Sequence, residues 1–80
     1  MMNLYQIIGD NVRGFRTKKG WTQEKLASRA EINWTYIGEI ERAEKKVTID
    51  ILQKIAKKLR VDPYLLLKRD AYKEDNGEVR

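Results

Sequence analysis

The middle of the chain, residues 21–44, constrains the fold more than any other stretch. Thr22 and Asn33 are residue types that favour helix N-caps, and each precedes apolar side chains at helical spacing. The sequence therefore predicts a helix over Gln23–Ala30, a tight turn and a second helix over Trp34–Arg42. Small alanines on the inner face of the first helix would let another helix approach closely.

Apolar residues at helical spacing predict three more helices around this pair. They span Leu4–Lys18, Ile49–Leu59 and a short stretch from Pro63 to about Arg69. No strand pattern is evident, so the predicted fold is all-α, a compact domain of five helices over residues 1–69. Residues 70–80 have mixed charge and few apolar anchors, and are expected to form a flexible, frayed tail. The apolar stripe of the first helix is expected to comprise Leu4, Ile8, Val12 and Phe15.

The composition narrows the possible functions. The 80 residues include 17 Lys and Arg against 12 Asp and Glu, a formal charge of +5. This balance suits a polyanion such as nucleic acid or an acidic membrane face, although any basic protein shares it. The absence of Cys and His excludes disulfides, zinc fingers and catalysis by Ser–His or Cys–His pairs. With no nucleophile–base arrangement and no glycine loop for phosphate, an enzyme is not expected.

The sequence lacks the features of a membrane-spanning or secreted protein. No apolar run approaches the length of a membrane span. Residues 1–10 contain an acid and lack the basic start of a signal peptide. We therefore expect a protein of the bacterial cytoplasm, associated with the nucleoid, without membrane contact. No metal, cofactor or small-molecule ligand is expected.

A set of residues spread over most of the chain carries a family resemblance. With them the chain resembles the Cro/CI-like (XRE-type) helix-turn-helix DNA-binding family, the fold of phage repressors, over roughly residues 8–67. Within that family it is most similar to restriction–modification controller proteins. The resemblance implies a helix-turn-helix at residues 22–42 and a homodimer on double-stranded DNA. The matching residues are Arg16, Gly20, Trp21, Thr22, Gln23, Glu24, Leu26, Ala27, Ile32, Ile37, Ile40, Glu41, Arg42, Leu52, Ile55, Ala56 and Leu59.

The start of the second helix of this motif is the expected base-reading surface, because this fold inserts it into the major groove. Thr35 can touch a thymine methyl group, and Glu39 can accept from cytosine N4. Trp34 occupies a place where controller proteins often carry arginine, so the operator cannot be copied from relatives. Tyr36 could instead cover the core, and Trp34 could lie at a protein interface. The predicted base-reading residues are Trp34, Thr35, Tyr36 and Glu39.

Phosphate contacts are expected on both sides of the reading surface. Thr22 and Gln23 open a helix whose N-terminal amides suit an anion, although Thr22 could be a plain N-cap. Lys45 and Lys46 follow the second helix of the motif, with a solvated loop as the alternative. The predicted phosphate-contacting residues are Thr22, Gln23, Arg42, Lys45 and Lys46. By resemblance, Arg16 and Glu41 form an ion pair that braces the first helix against the end of the third.

The fifth predicted helix contains more consecutive apolar residues than one face can bury. We therefore predict a dimer interface, although Leu66 and Leu67 could instead fill the core. The predicted interface residues are Ile51, Tyr64, Leu65 and Leu67. The leading functional hypothesis is a transcriptional regulator that binds a near-palindromic operator as a homodimer, as a controller protein does. A phage-type repressor, an antitoxin and a protein-interaction module without DNA function are the alternatives.

Overall fold

The computed structural model describes residues 1–74, and within that range the secondary structure is entirely helical. The all-α class predicted from the sequence is confirmed. Four α-helices are followed by two short 3-10 segments. The elements are α1 (Leu4–Lys18), α2 (Gln23–Ala30), α3 (Trp34–Glu41), α4 (Ile49–Leu59), the first 3-10 segment (Pro63–Leu67) and the second 3-10 segment (Ala71–Lys73).

Each α-helix begins at a side chain that accepts a hydrogen bond from a free backbone amide of the first turn. Asn3 and Gln6 form a reciprocal capping box at α1, with bonds of 2.8 and 2.9 Å. Thr22 accepts from the amide of Lys25 at the start of α2, at 3.0 Å. The other two caps are Asn33 and Thr48. All four predicted helix starts are confirmed.

The core is formed where α1 and α2 pack against α3, α4 and the first 3-10 segment. Gly9 allows α1 to approach α3 closely, because a β-carbon built there would lie 2.6 Å from the carbonyl oxygen of Ile40. This contact sets the position of α3 relative to the longest helix. The largest fully buried side chains are Leu26, Ile37, Ile40, Ile55, Leu59, Leu66, Val12 and Asn11.

The apolar stripe of α1 begins one turn later than predicted. Leu4 is 49% exposed, whereas Ile8, Val12 and Phe15 are buried. The prediction that Leu4 belongs to the inward apolar stripe of α1 is therefore wrong. Helical spacing identifies the inner face of a helix, but it does not show how far along that helix the core extends.

The predicted fifth helix is a 3-10 segment that ends at Leu67, not an α-helix that reaches Arg69. Buried Asn11 explains the difference, because its Nδ2 donates to the carbonyl oxygens of Leu66 (3.1 Å) and Lys68 (2.8 Å). These are carbonyls that a continuing helix would have used. The backbone becomes extended at Lys68. A smaller correction applies to α3, which ends at Glu41 with Arg42 as its C-cap.

The packed structure extends into the stretch predicted to be a frayed tail. Ala71 is buried, and Asn11 Oδ1 accepts from the amide of Tyr72 at 3.3 Å. The ring of Tyr72 lies against Gly14, where any β-carbon would overlap it. The predicted boundary at residue 69 is therefore too early. The rest of the predicted tail, residues 75–80, lies outside the described residues.

Candidate nucleic-acid interface

A buried polar network joins α1, the start of α2 and the end of α3. Arg16 Nε lies 2.6 Å from Glu41 Oε2, and Arg16 Nη2 donates to Glu41 Oε1 at 2.9 Å. Arg16 Nη1 also donates to the carbonyl oxygen of Trp21 at 2.8 Å. The two charged side chains are only 11% and 3% exposed. The ion pair implied by the resemblance is thus present, and it fixes α3 relative to the residue that precedes α2.

Gln23 belongs to the same network, which changes its expected role. Its Nε2 donates to Glu41 Oε1 at 2.9 Å, so the side-chain amide is not free for the predicted phosphate contact. The side chain passes beside Gly38 of α3. A β-carbon built on Gly38 would sit 3.4 Å from Gln23 Oε1. Gln23 therefore holds α2 against α3, and its backbone amide is the group left for an anion.

The N-terminus of α2 presents that amide at the surface. Thr22 caps the helix, since its side chain accepts from the amide of Lys25 and its carbonyl oxygen from that of Leu26. Within residues 1–74, the amides of Gln23 and Glu24 donate to no protein acceptor. Two free amides at the positive end of a helix dipole are a suitable site for a phosphate oxygen.

The start of α3 forms the neighbouring surface. Trp34 is 56% exposed, Thr35 is also exposed, and Tyr36 and Glu39 are half-buried, with Tyr36 packed against the core. A surface pocket of about 300 Å³ separates α3 from the start of α2. It brings two predicted base-reading residues together with two predicted phosphate-contacting residues, while Tyr36 and Glu39 lie outside it. The pocket is lined by Gln23, Trp34, Thr35, Gly38 and Arg42.

Arg42, at the edge of this pocket, already has an acidic partner. Its Nε lies 3.0 Å from Glu44 Oε2, and the two side chains are 57% and 53% exposed. The hydrogen bond to Glu44 raises the pKa of the Arg42 guanidinium, and the same bond lowers the pKa of the Glu44 carboxyl group. Lys45 and Lys46, which follow in the same loop, are exposed. Glu44 was not among the predicted site residues.

A cluster of cations beside the start of α2 was also missed. The nitrogen atoms of Lys19 and Lys25 and the guanidinium carbon of Arg29 lie 5.3–5.8 Å from the centre of the Trp21 ring. Lys25 and Arg29 are four residues apart in α2 and therefore lie on one face of it, a spacing that could have revealed part of the cluster. It extends the positive surface next to Thr22.

The predicted dimer residues fall into two groups. Tyr64 and Leu67 are exposed, at 58% and 39%, whereas Ile51 and Leu65 are half-buried and pack against the core. Ile49, at the start of α4, is 67% exposed and was not predicted. The exposed apolar side chains thus lie on α4 and the first 3-10 segment, two elements that pack against each other.

Within residues 1–74, no helix is long and apolar enough to cross a membrane. The same range contains no group of three or more acidic side chains arranged to hold a metal ion.

Comparisons of the sequence with known proteins identify helix-turn-helix regulators as relatives. The helix-turn-helix family profile matches residues 12–66. The chain is 37% identical to the control protein C.SmaI of Serratia marcescens over 76 residues, covering 95% of this chain and 90% of that protein. It is 41% identical to the control protein C.BamHI of Bacillus amyloliquefaciens over 66 residues, covering 81% and 82%.

A solved structure of a controller protein also matches this fold. The restriction–modification controller protein C.Esp1396I, seen as a tetramer on its natural 35-base-pair operator, superposes with a TM-score of 0.74 at 33% identity. The match covers 82% of this chain and 87% of that one. The chain therefore belongs to the Cro/CI-like helix-turn-helix family, and restriction–modification controller proteins are among its relatives.

Proposed function

We propose that this chain is a sequence-specific DNA-binding transcription regulator that acts as a homodimer on a near-palindromic operator, in the manner of a restriction–modification controller protein. One observation carries the proposal. The buried network of Arg16, Glu41 and Gln23 holds the N-terminus of α2 and the exposed start of α3 in one fixed surface. Two such helices at a fixed angle fit a groove and its adjacent backbone.

Base reading is assigned to the start of α3. Thr35 and Trp34 line the pocket and are exposed, so their side chains can reach base edges without rearrangement. Thr35 can donate to a base or contact a thymine methyl group, and Trp34 offers apolar contact. Tyr36 and Glu39, which are half-buried, flank this surface and complete the proposed reading set.

Affinity is assigned to the groups around that surface. The free amides of Gln23 and Glu24, beside the N-cap Thr22, would donate to one phosphate at the edge of the groove. Arg42, Lys45 and Lys46 would neutralise phosphates next to the C-terminal end of α3. These contacts position the protein on DNA of any sequence and make its affinity depend on salt.

Dimerisation is assigned to the apolar side chains of α4 and the first 3-10 segment. Ile49, Tyr64 and Leu67 are exposed there, beside the half-buried Ile51 and Leu65. A symmetric dimer through this surface would present two copies of α3 about one DNA turn apart. The tetramer of the controller protein C.Esp1396I on its operator supports binding to DNA as an oligomer.

The regulator would work by occupying its operator, either blocking RNA polymerase or recruiting it. This role places the protein in the bacterial cytoplasm, at the nucleoid. It requires no catalytic step, and the DNA-binding unit would comprise all of the packed helices.

Fluorescence anisotropy with a labelled random-sequence duplex of about 30 base pairs tests DNA binding directly. If each dimer neutralises about six phosphates, affinity should fall by about a thousandfold between 50 and 200 mM salt. Absence of binding at low salt would contradict the proposal and favour a protein-interaction module.

The dimer is tested by exchanging an exposed interface residue for a charge. Leu67→Glu should give monomers by analytical ultracentrifugation and weaken binding to a two-half-site duplex. Ser28→Glu, at an exposed position of α2 outside the proposed interface, is the control and should remain dimeric. A Leu67→Glu protein that stays dimeric would place the interface elsewhere.

A further inference from the structure

The loop after α3 places the acidic side chain of Glu44 beside Arg42, which lines the surface pocket between α2 and α3. The helix ends with Ala43 in the left-handed region (φ 60°). In this turn the amide of Ala43 donates to the carbonyl oxygen of Ile40, and that of Glu44 donates to that of Glu39, at 2.8 Å. These bonds fix the backbone of Glu44. Its carboxylate then reaches Arg42 Nε at 3.0 Å.

The side chain of Arg42 lines the pocket and is also placed to contact a DNA phosphate. Its Nη1 lies over α3, only 3.1 Å from where a β-carbon on Gly38 would be. The same side chain lines the pocket together with Trp34 and Thr35. A phosphate oxygen and a carboxylate oxygen are alternative acceptors for a guanidinium group, and both form charge-assisted hydrogen bonds with it.

The Arg42–Glu44 ion pair is weak enough for a DNA phosphate to replace Glu44. Its two side chains are more than half exposed, and exposed ion pairs are held loosely and screened by salt. DNA would present several phosphates to the same loop, where Lys45 and Lys46 add positive charge. In the sequence Glu44 lies between Arg42 and these lysines, and its negative charge opposes the approach of a phosphate to this loop.

We propose that Glu44 is an internal competitor for Arg42, which a DNA phosphate must displace when the protein binds. This inference rests on the proposed function, and it makes Glu44 a positioning residue that sets affinity without touching a base. Because Arg42 leaves one acidic partner for another, its net contribution to binding is reduced. Glu44 thereby lowers the affinity for DNA of every sequence. It also raises the protein concentration needed to occupy an operator.

The test compares two variants that remove the same charge. Glu44→Gln removes the competitor, and Glu31→Gln, at an exposed residue of the turn between α2 and α3, removes an equal charge without contacting Arg42. Binding is measured by anisotropy on the random-sequence duplex at low salt. We expect Glu44→Gln to bind about threefold more tightly than the wild type, and Glu31→Gln to change affinity less. An equal effect of the two variants would overturn the proposal.

A second pair of variants separates competition from simple repulsion. In an Arg42→Gln background, adding Glu44→Gln should give little further gain, because no guanidinium is left to release. If Glu44→Gln tightens binding equally with and without Arg42, the carboxylate acts by repelling DNA and the proposal is wrong. If no variant binds DNA, the proposed function fails and this inference fails with it. If the wild type binds with steep salt dependence but Glu44→Gln gains nothing, only this inference fails.

Discussion

Two arginine–glutamate pairs lie next to each other in this molecule and have opposite environments. Glu41 pairs with Arg16 inside the protein, where the side chains are 3% and 11% exposed. Arg42, the next residue, pairs with Glu44 at the surface, where the side chains are 57% and 53% exposed. The chemistry of the two pairs is the same, so their burial must decide what each of them does.

Burial makes the Arg16–Glu41 pair a fixed brace. Its charges cannot be left without partners in a poorly solvated site, so neither side chain is free to move to a ligand. Gln23 and the carbonyl oxygen of Trp21 complete the network. The Arg42–Glu44 pair is surrounded by water, which can replace either partner. The first pair therefore holds the DNA-binding surface in shape, and the second can exchange with DNA.

The largest expected effect follows from breaking the buried pair. Glu41→Ala leaves Arg16 with a buried, unpartnered charge and removes the acceptor for Gln23. It should lower the free energy of unfolding by about 3–5 kcal/mol, measured by urea denaturation. Glu44→Ala is the control and should leave stability unchanged. A small effect of Glu41→Ala, similar to that of the control, would show that the two pairs do not differ as described.

Removing both buried charges separates stability from function. Replacing Arg16 and Glu41 together by leucine should recover most of the stability lost in Glu41→Ala, because no charge is left unpaired. Binding to DNA should remain weak, since Gln23 and the start of α2 lose their tie to α3. Anisotropy on the random-sequence duplex measures this. Wild-type affinity in the double variant would mean that the network does not shape the DNA-binding surface.

An intermediate effect is expected for the exposed pair, and on binding alone. Arg42→Gln should weaken binding to DNA of any sequence by about tenfold and reduce the slope of log K against log salt by about 1.8 per dimer, as two phosphate contacts are lost. Its urea transition should match that of the wild type. Lys54→Gln removes a cation from the outer face of α4 and is the matched control. An unchanged salt slope in Arg42→Gln would remove Arg42 from the set of phosphate contacts.

The smallest effect concerns the residue between the two halves of the exposed pair. Ala43 has a φ of 60°, a conformation that costs a residue with a β-carbon more than it costs glycine. Ala43→Gly should raise the free energy of unfolding by about 0.5–1 kcal/mol, seen as a higher thermal midpoint. Ser28→Gly, at an exposed helical position of α2, should lower it instead. If Ala43→Gly also destabilises the protein, the strain at this turn is not relieved by glycine.

Local sequence signals predicted most of the fold. The caps Asn3, Thr22, Asn33 and Thr48 each contribute their side chain to a nearby amide, so a short stretch of sequence suffices to place the four α-helices. The end of the domain could not be predicted in this way. Asn11 holds its backbone partners from 55 to 61 residues away, and such bonds leave no local pattern. A polar residue within the apolar stripe of α1 was the available signal.

The candidate site was predicted in part for the same reason. Exposed Trp34 and Thr35 follow directly from their place at the start of a capped helix. The side chain of Gln23 turns inward to donate to Glu41, which is 18 residues away, a relation that neither residue reveals alone. Glu44 was missed because the turn at Ala43, rather than any helical spacing, directs it toward Arg42.

Selection of bound sites from a random DNA library tests the central claim most directly. A homodimer that reads DNA with α3 should enrich a near-palindromic motif, with two half-sites about 10 base pairs apart from centre to centre, or a multiple of that distance. The Thr35→Ala variant should enrich a motif with altered bases inside each half-site and an unchanged spacing. No enrichment, a single motif without symmetry, or an identical motif for Thr35→Ala would contradict the assignment of α3 as the reading helix of a symmetric dimer.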